Sequence, residues 1–142
     1  MKKLEERIYD VIKNPHLAGL ASITEDGKPW VRYVLPVGNK DLTLRFSTFT
    51  DARKVSQMKN NPEVHINCGV TDILDPKPYI QYQGRALIST DPEEKKNFWN
   101  PGLEHIFSGP EDPNYAVVIV TPYCIEYNLP NSLEAPEIWT SA

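Results

Sequence analysis

The sequence predicts a mainly β fold with peripheral helices, built as a six-stranded antiparallel barrel. Six segments are apolar or alternate apolar and polar residues, as strands do, whereas three or four short stretches have helical spacing. Tight turns join the first strand segments in hairpin order. Closing such a sheet removes its exposed edges. An open α+β domain would share these elements and is the alternative. A chain of 142 residues is long enough for its own core, so we expect a single domain over residues 1–142.

The first elements are a helix and three strands. Residues 1–14 are expected to form an N-terminal helix, because apolar residues from Leu4 to Ile12 recur on one side of it. Asn14-Pro15 ends this helix, since the residue before proline is pushed out of the helical region. Asp-Gly and Asn-Lys-Asp turns then separate three segments, which we predict to form a meander: AGLASIT, WVRYVLPV and LTLRFSTF.

The second half of the chain alternates short helices with longer strands. Thr50 or Asp51 is expected to cap a second helix, which ends at Asn61-Pro62. A third helix begins in DPEEKKNFW, where proline takes the first position and acids fill the first turn. Residues 130–142 are expected to be a loosely held C-terminal tail. The remaining strand segments are EVHINCGV, PYIQYQGRALIST and YAVVIVTPYCIEYNL.

Charge and cysteine content argue against several functional classes. A net charge of −4 provides no basic face for nucleic acid or an anionic membrane. Cys68 and Cys124 stand far apart, without the spacing of a disulfide framework or a zinc site. The N-terminus lacks the apolar core of a signal peptide, and no apolar run reaches the roughly 20 residues that cross a bilayer. We therefore expect a cytoplasmic protein.

The corner between the third strand and the second helix is rich in side chains that can hold an anion. A helix N-terminus presents unpaired N–H groups and the positive end of the helix dipole, which suit a phosphate. Arginine can grip two phosphate oxygens, and lysine adds a mobile charge. The candidate ligands are Ser47, Thr48, Thr50, Arg53 and Lys54, with Arg32 on an earlier strand as a third cation. Alternatively, the cations are solvated surface groups and Thr50 is a plain helix cap.

Several segments of the chain resemble a known family. WVRYVLPV, LTLRFSTFTDARKVSQMKNNPEVHI and QGRALIS are similar to the FMN-binding split barrel of pyridoxamine 5′-phosphate oxidase and its relatives. In that family, a strand with an arginine precedes a strand that ends in hydroxyls, and a Ser/Ala-Arg-Lys helix follows and closes in Asn-Pro. DPEEKKNFWNPGLEHIFSGPEDPNYAVVIVTPYCIEY further resembles the general stress protein 26 branch. The resemblance covers residues 18–127 and implies a split β-barrel.

The resemblance also implies that FMN binds at the interface of a homodimer. By position in the family pattern, Arg53 and Lys54 would clamp the phosphate of the cofactor. The ribityl chain and ring would be lined by Arg32, Tyr33 and Val34, and the phosphate or ring edge would be contacted by Ser47 and Thr48. The flavin would also be contacted by Trp99 and, from the partner subunit, by Gln81 or Gln83.

The chain departs from the family pattern at two places. Asn128 stands where the branch usually carries tryptophan, and no arginine–histidine substrate motif follows Tyr127. The resemblance therefore implies an FMN-dependent oxidoreductase with an unknown small-molecule substrate, and not a true pyridoxamine phosphate oxidase. The alternatives are a flavin-binding stress-response module without turnover, or the same barrel with deazaflavin F420 or haem. We identify no catalytic residue and expect no metal, because the three histidines are scattered without metal-site spacing.

Overall fold

The computed structural model describes residues 2–69 and 72–142. It is mainly β with peripheral helices, which confirms the predicted fold class. The helices are α1 (Leu4–Ile12), α2 (Arg53–Asn60) and α3 (Pro92–Phe98), followed by a short 3-10 helix over Pro101–His105. The strands are β1 (Ala18–Ile23), β2 (Pro29–Val34), β3 (Val37–Gly38), β4 (Leu44–Phe49), β5 (Glu63–Cys68), β6 (Tyr79–Ser89), β7 (Tyr115–Asn128) and β8 (Glu137–Thr140).

The strands form one antiparallel sheet that curls into a split barrel. Their order is β2-β1-β5-β6-β7-β4-β3, with β8 on the side of β7. The two ends of this path are β2 and β3, yet only Leu35 and Pro36 separate them along the chain. From Val34 to Val37 the chain can bridge about 11 Å at most, because successive Cα atoms are about 3.8 Å apart. The sheet must therefore curl until its ends come close together.

The topology corrects the predicted meander. β1 and β2 form the expected hairpin, but β4 pairs with β7 and not with β2. The predicted strand WVRYVLPV breaks at Leu35-Pro36, because proline has no N–H for the sheet ladder. The chain resumes as β3, and this two-residue strand forms the hairpin with β4.

The C-terminal tail is also better held than the sequence suggests. Its residues Glu137–Thr140 form β8, which pairs with the end of β7. Arg7 of α1 forms an ion pair with Glu137, and Trp139 packs against the main core. With β3 and β8, the sheet formed by residues 2–69 and 72–142 has eight strands where the sequence predicts six.

Large apolar side chains fill the interior of the barrel. α1 packs against β3, β6 and β8, and its residues Ile8 and Ile12 are fully buried. Gly38 of β3 is essential to this close approach, because a Cβ there would lie 2.3 Å from Cγ1 of Ile12. One row of buried side chains across neighbouring strands consists of Leu20, Ile66, Tyr82 and Ile125.

The outer face of β7 carries a second apolar cluster. Val118 and Val120 point into the main core, whereas the alternating Val117 and Ile119 belong to the second cluster. Phe98 at the end of α3 packs on this cluster, while α2 packs on β1 and β6 on the core side. Within residues 2–69 and 72–142, no helix is long and apolar enough to cross a bilayer.

Candidate functional site

The candidate site is the N-terminus of α2, where Arg53 is the first helical residue. The cap residue is Ala52, and no side chain in the described part of the chain caps the helix. The prediction that Thr50 or Asp51 caps α2 is therefore wrong. Thr50 lies too early, because the chain makes one more turn, in which the Ala52 N–H donates to the Phe49 carbonyl. The Thr50 N–H donates instead to the carbonyl of Asn114, at 3.0 Å.

The first turn of α2 has free backbone donors. Neither the Arg53 N–H nor the Lys54 N–H donates to an acceptor within residues 2–69 and 72–142. Such groups at a helix N-terminus are satisfied by side chains, water or ligands. In this helix the side-chain cap is missing, so the donors are available to an external acceptor.

The first turn of α2 carries two cations, and the exposed Asp51 lies just before the cap residue Ala52. α1 and α3 each begin with two glutamates, as the helix dipole favours, whereas the first turn of α2 has two cations and no acid. Arg32 of β2 lies near both of them. Among the described residues, no carboxylate oxygen lies within 4.0 Å of the charged nitrogens of Arg32, Arg53 or Lys54.

The pKa values of these side chains record the crowding of positive charge. Burial lowers the pKa of Arg32, and repulsion from Arg53 lowers it further. Burial likewise lowers the pKa of Lys54, with a further contribution from Arg32. An arginine remains charged at every physiological pH, so the arrangement is a positive centre without an ion-pair partner in the part of the chain that the structure describes.

Arg32 is held in place by neutral acceptors. One terminal nitrogen donates to Ser22 Oγ at 2.8 Å and to the Leu20 carbonyl at 3.2 Å. The other donates to Gln57 Oε1 of α2 at 3.0 Å. Ser22 Oγ also donates to Gln57 Oε1, so one amide oxygen accepts from both side chains. This network joins β1, β2 and α2 around the guanidinium group.

An exposed tryptophan borders the same centre. Trp30 is the register partner of Ser22 on β2 and is 49% exposed. The Arg53 guanidinium lies 5.9 Å from the centre of its ring, within the range of a cation–π contact. The centre therefore combines a planar apolar surface with positive charge.

The two hydroxyls at the end of β4 do not point the same way. Successive side chains of a strand alternate between its faces, so Ser47 and Thr48 lie on opposite faces. Thr48 is buried on the core side and donates to the Phe49 carbonyl at 3.2 Å. Ser47 shares its face with Arg45, which α3 covers through the ion pair of Arg45 with Glu94. The predicted hydroxyl cluster is thus divided between two faces.

The neighbours of Arg32 on β2 are similarly divided. Val34 is on the core side and is buried in the main core. Tyr33 points outward and is 73% exposed. Of the three β2 residues that the family resemblance implies, Arg32 is the one beside α2.

The two candidate glutamines lie on the outer face of β6. Gln81 and Gln83 are both exposed, and they alternate with the buried Ile80 and Tyr82. Gln83 lines a cavity of about 240 Å³ that also reaches Ser22, the residue that binds Arg32. The cavity lies on the outer face of the sheet, opposite the face that carries the Ser22 hydroxyl and Arg32, and Gln81 does not line it.

Trp99 belongs to a different part of the molecule. It ends α3 and packs edge-on against Tyr115, with ring centres 5.5 Å apart. Tyr115 contacts Phe107, which contacts Phe49 at the end of β4. Trp99 also lines a larger cleft, of about 660 Å³, beside the ion pair of Arg45 with Glu94. An aromatic cluster thus separates Trp99 from the start of α2.

Comparison with known proteins identifies the family. The sequence matches the family model of pyridoxamine 5′-phosphate oxidase over residues 4–128. The chain belongs to the pyridoxamine 5′-phosphate oxidase family. General stress protein 26 of Bacillus subtilis (strain 168) is 29% identical over 119 residues, which are 84% of each chain. The crystal structure of General Stress Protein 26 from Bacillus anthracis str. Sterne has a TM-score of 0.81 and 30% identity, and the match covers 97% of this chain and 98% of that one.

Other proteins with this family's fold carry different names. An F420 reductase structure has a TM-score of 0.64 and 24% identity over 88% of this chain and 98% of that one. A heme binding protein from Mycobacterium smegmatis has a TM-score of 0.74 and 13% identity over 99% of this chain and 59% of that one. At these identities the likeness shows the fold alone.

Two residues of the site were missed by the sequence analysis. Ser22 and Gln57 bind Arg32, although they lie 10 and 25 residues from it along the chain. A weak signal exists for Gln57, which is one helical turn after Arg53 and so lies on the same side of α2. In the described part of this family member, no group of three or more histidine, cysteine, aspartate or glutamate side chains could hold a metal ion.

Proposed function

We propose that this member of the pyridoxamine 5′-phosphate oxidase family binds FMN and acts as a flavin-dependent oxidoreductase on a small molecule. The observation that carries the proposal is the centre of three cations, Arg32, Arg53 and Lys54, without a carboxylate partner in the described residues. The free N–H groups of α2 add donors for phosphate oxygens. A phosphate dianion would offset the positive charge and satisfy these donors.

The residues present fit the phosphate of FMN in charge and in hydrogen bonding. Arg53 and Lys54 would bind the phosphate from the first turn of α2, and Arg32 would bind it from β2. When bound, FMN supplies the redox chemistry, because its ring accepts a hydride or two single electrons. The role of this chain is to bind and orient the cofactor, and its exposed Trp30 ring offers an apolar surface beside the seat.

A homodimer is part of the proposal. Arg32 lies on β2, at one end of the sheet, and the depression lined by Gln83 is small and open on the outer face of the sheet. A ring system as large as a flavin would project beyond a cavity of about 240 Å³. A second copy of the chain that docks on this face would cover the ring, with Gln81 or Gln83 as its contact.

Binding without turnover is the alternative within the same site. Reduction by a nicotinamide donor distinguishes the two functions, because an oxidoreductase must pass electrons through its flavin. NADH or NADPH added without oxygen should bleach the flavin absorbance of an oxidoreductase that uses either donor. The visible spectrum of the cofactor released by acid distinguishes FMN from F420 and haem.

The proposed phosphate seat is tested with the double variant Arg53→Ala, Lys54→Ala. Each charge-assisted hydrogen bond contributes roughly 1.5–3 kcal/mol, so the dissociation constant for FMN should rise by about a hundredfold or more. Titration of the apoprotein with FMN, followed by flavin fluorescence, measures this change.

Lys59→Ala is the matched control, because Lys59 is exposed in the last turn of the same helix. Its FMN affinity should equal that of the wild type. An unchanged affinity in the double variant would remove the proposed seat, and wild-type protein that binds no FMN would remove the proposed function.

A further inference from the structure

The network around Arg32 has a feature that the proposed FMN site does not require by itself: the acceptors that hold the guanidinium are neutral. A buried or half-buried arginine is commonly held by a carboxylate, which matches its two-pronged geometry. Arg32 is half-buried, yet its partners are a hydroxyl, an amide oxygen and a backbone carbonyl. They fix its position without cancelling its charge.

The donor count of Arg32 supports a ligand at this position. A guanidinium has five N–H donors, and three of those of Arg32 go to Ser22, Leu20 and Gln57. No acceptor in the described residues takes the other two donors, so they remain for an external acceptor. The amide orientation of Gln57 follows from the same network, since its oxygen accepts from two donors and its NH₂ group could accept from neither.

The network also has to resist repulsion. Arg32 faces Arg53 and Lys54. Burial and repulsion from Arg53 lower the pKa of Arg32, and burial and repulsion from Arg32 lower the pKa of Lys54. Without anchors, the flexible arginine side chain would turn away from these charges. The anchors come from two directions, since Ser22 is on β1 and Gln57 is on α2, one turn after Arg53. They hold Arg32 beside the helix end.

We infer that Ser22 and Gln57 are positioning residues that keep Arg32 fixed and fully charged, and that Gln57 thereby sets the preference of the site for a phosphorylated flavin over an uncharged one. The inference rests on the proposed FMN site. A carboxylate at position 57 would still hold the guanidinium, but it would also neutralise it. The phosphate would then lose one of its three cations, whereas a ligand without phosphate makes no ion pair with Arg32 and would lose none.

The test compares FMN with riboflavin, which has the same ring and ribityl chain but no phosphate. Gln57→Glu retains the acceptor and adds a charge, while Gln57→Met keeps the size and removes the acceptor. Gln57→Glu should weaken FMN binding by roughly ten- to a hundredfold, the effect of one charge-assisted contact, and leave riboflavin binding within about twofold. Gln57→Met should weaken FMN binding by a smaller factor, because Arg32 loses an anchor but keeps its charge.

Asn60→Asp is the matched control, since it makes the same amide-to-carboxylate change at the exposed last residue of α2. It should bind both flavins as the wild type does.

The salt dependence provides a second readout: FMN affinity of Gln57→Glu should fall less steeply with salt than that of the wild type, because one fewer cation takes part. A merely structural role of Gln57 would not change this slope. If Gln57→Glu does not fold, the FMN-to-riboflavin preference of Gln57→Met carries the test.

Each outcome has a definite reading. If the wild type binds FMN and Gln57→Glu binds it equally well, this inference is overturned and the proposed function is not. Equal loss of FMN and riboflavin in the folded Gln57 variants also overturns it, because the effect would then not depend on the phosphate. Wild type that binds no FMN overturns the proposed function, and this inference with it.

Discussion

Single residues in this protein show where local chemistry can be predicted and where it cannot. Arg53 and Lys54 begin a helix that three residues separate from the preceding strand, so their place beside free N–H groups follows from the sequence order alone. The partners of Arg32 are different, because Ser22 and Gln57 meet it only through strand pairing and helix packing. The cations of the site were therefore predictable from sequence, and the network that holds them was not.

The division of Ser47 and Thr48 between two faces carries the same lesson. The sequence shows two adjacent hydroxyls, and the alternation of a strand already implies that they point apart. Which of them faces α2 depends on the pairing of β4 with β7, which no local pattern reveals. Thr48 lies on the core side with α2, so it is the hydroxyl on the same side of β4 as the proposed seat.

Cys68 provides a pH-dependent prediction at the residue scale. It is 2% exposed, and burial raises the pKa of its thiol to about 12. The pKa of a cysteine thiol in the unfolded chain is about 8.5. Below about pH 8.5 the thiol is neutral in both states, and as the pH rises toward 12 it ionises in the unfolded chain only, so the folded state becomes less stable. From pH 7 to pH 10, the free energy of unfolding of the wild type should fall by about 2 kcal/mol more than that of Cys68→Ala.

Urea unfolding of both proteins at the two pH values, with a reductant present, measures this difference. Equal losses in wild type and Cys68→Ala would mean that the thiol ionises as easily in the folded protein as in the unfolded one.

At the scale of secondary structure, the period of apolar residues predicts most helices and strands, but not their partners. The meander was predicted because turns join its three segments, and turns usually join neighbouring strands. Pro36 breaks the second segment, so β3 takes over the pairing with β4 and leaves β2 at the other end of the sheet. Two residues of irregular backbone thus determine that the sheet closes on itself.

β8 is an element that the sequence analysis missed, and it provides a test at this scale. Its residues Ile138, Trp139 and Thr140 favour strands, but four residues are too few to show a clear period. The strand is held by pairing with β7, by the ion pair of Glu137 with Arg7 and by Trp139 against the core. Because Trp139 is partly buried, Trp139→Ala should lower the free energy of unfolding by about 2 kcal/mol, somewhat less than a fully buried aromatic side chain.

Leu133→Ala is the control, since Leu133 lies in the same tail and is fully exposed. It should change the free energy of unfolding by less than about 0.5 kcal/mol. Urea unfolding followed by far-UV circular dichroism compares the two variants without relying on tryptophan fluorescence. If both variants have the stability of the wild type, β8 contributes no packing energy and the tail is as loosely held as its sequence suggests.

At the scale of the whole molecule, the outer face of the sheet is the feature that most needs a partner. Val31 and Tyr33 of β2 and the adjacent Leu35 are 68%, 73% and 64% exposed. Contiguous apolar surface of this kind commonly marks an interaction site. The row continues across paired strands toward the candidate glutamines, in the order Val31, Ala21, His65 and Gln83. One docking surface would therefore cover both the apolar row and the depression lined by Gln83.

A second copy of the chain is the occupant that the proposed function requires, and Val31→Glu tests it. A buried carboxylate without a partner would strongly disfavour the interface, so the mass in solution should fall from twice 16.2 kDa to 16.2 kDa. FMN affinity should fall with it, because the ring would lose its cover, although Val31 is not among the residues proposed to bind the phosphate. Sedimentation equilibrium gives the mass, and titration of the same samples gives the affinity. Leu133→Glu places the same charge on an exposed leucine away from β2 and should leave both unchanged. If Val31→Glu stays dimeric and binds FMN like the wild type, this face is not the dimer interface, and the cover of the flavin must come from another surface.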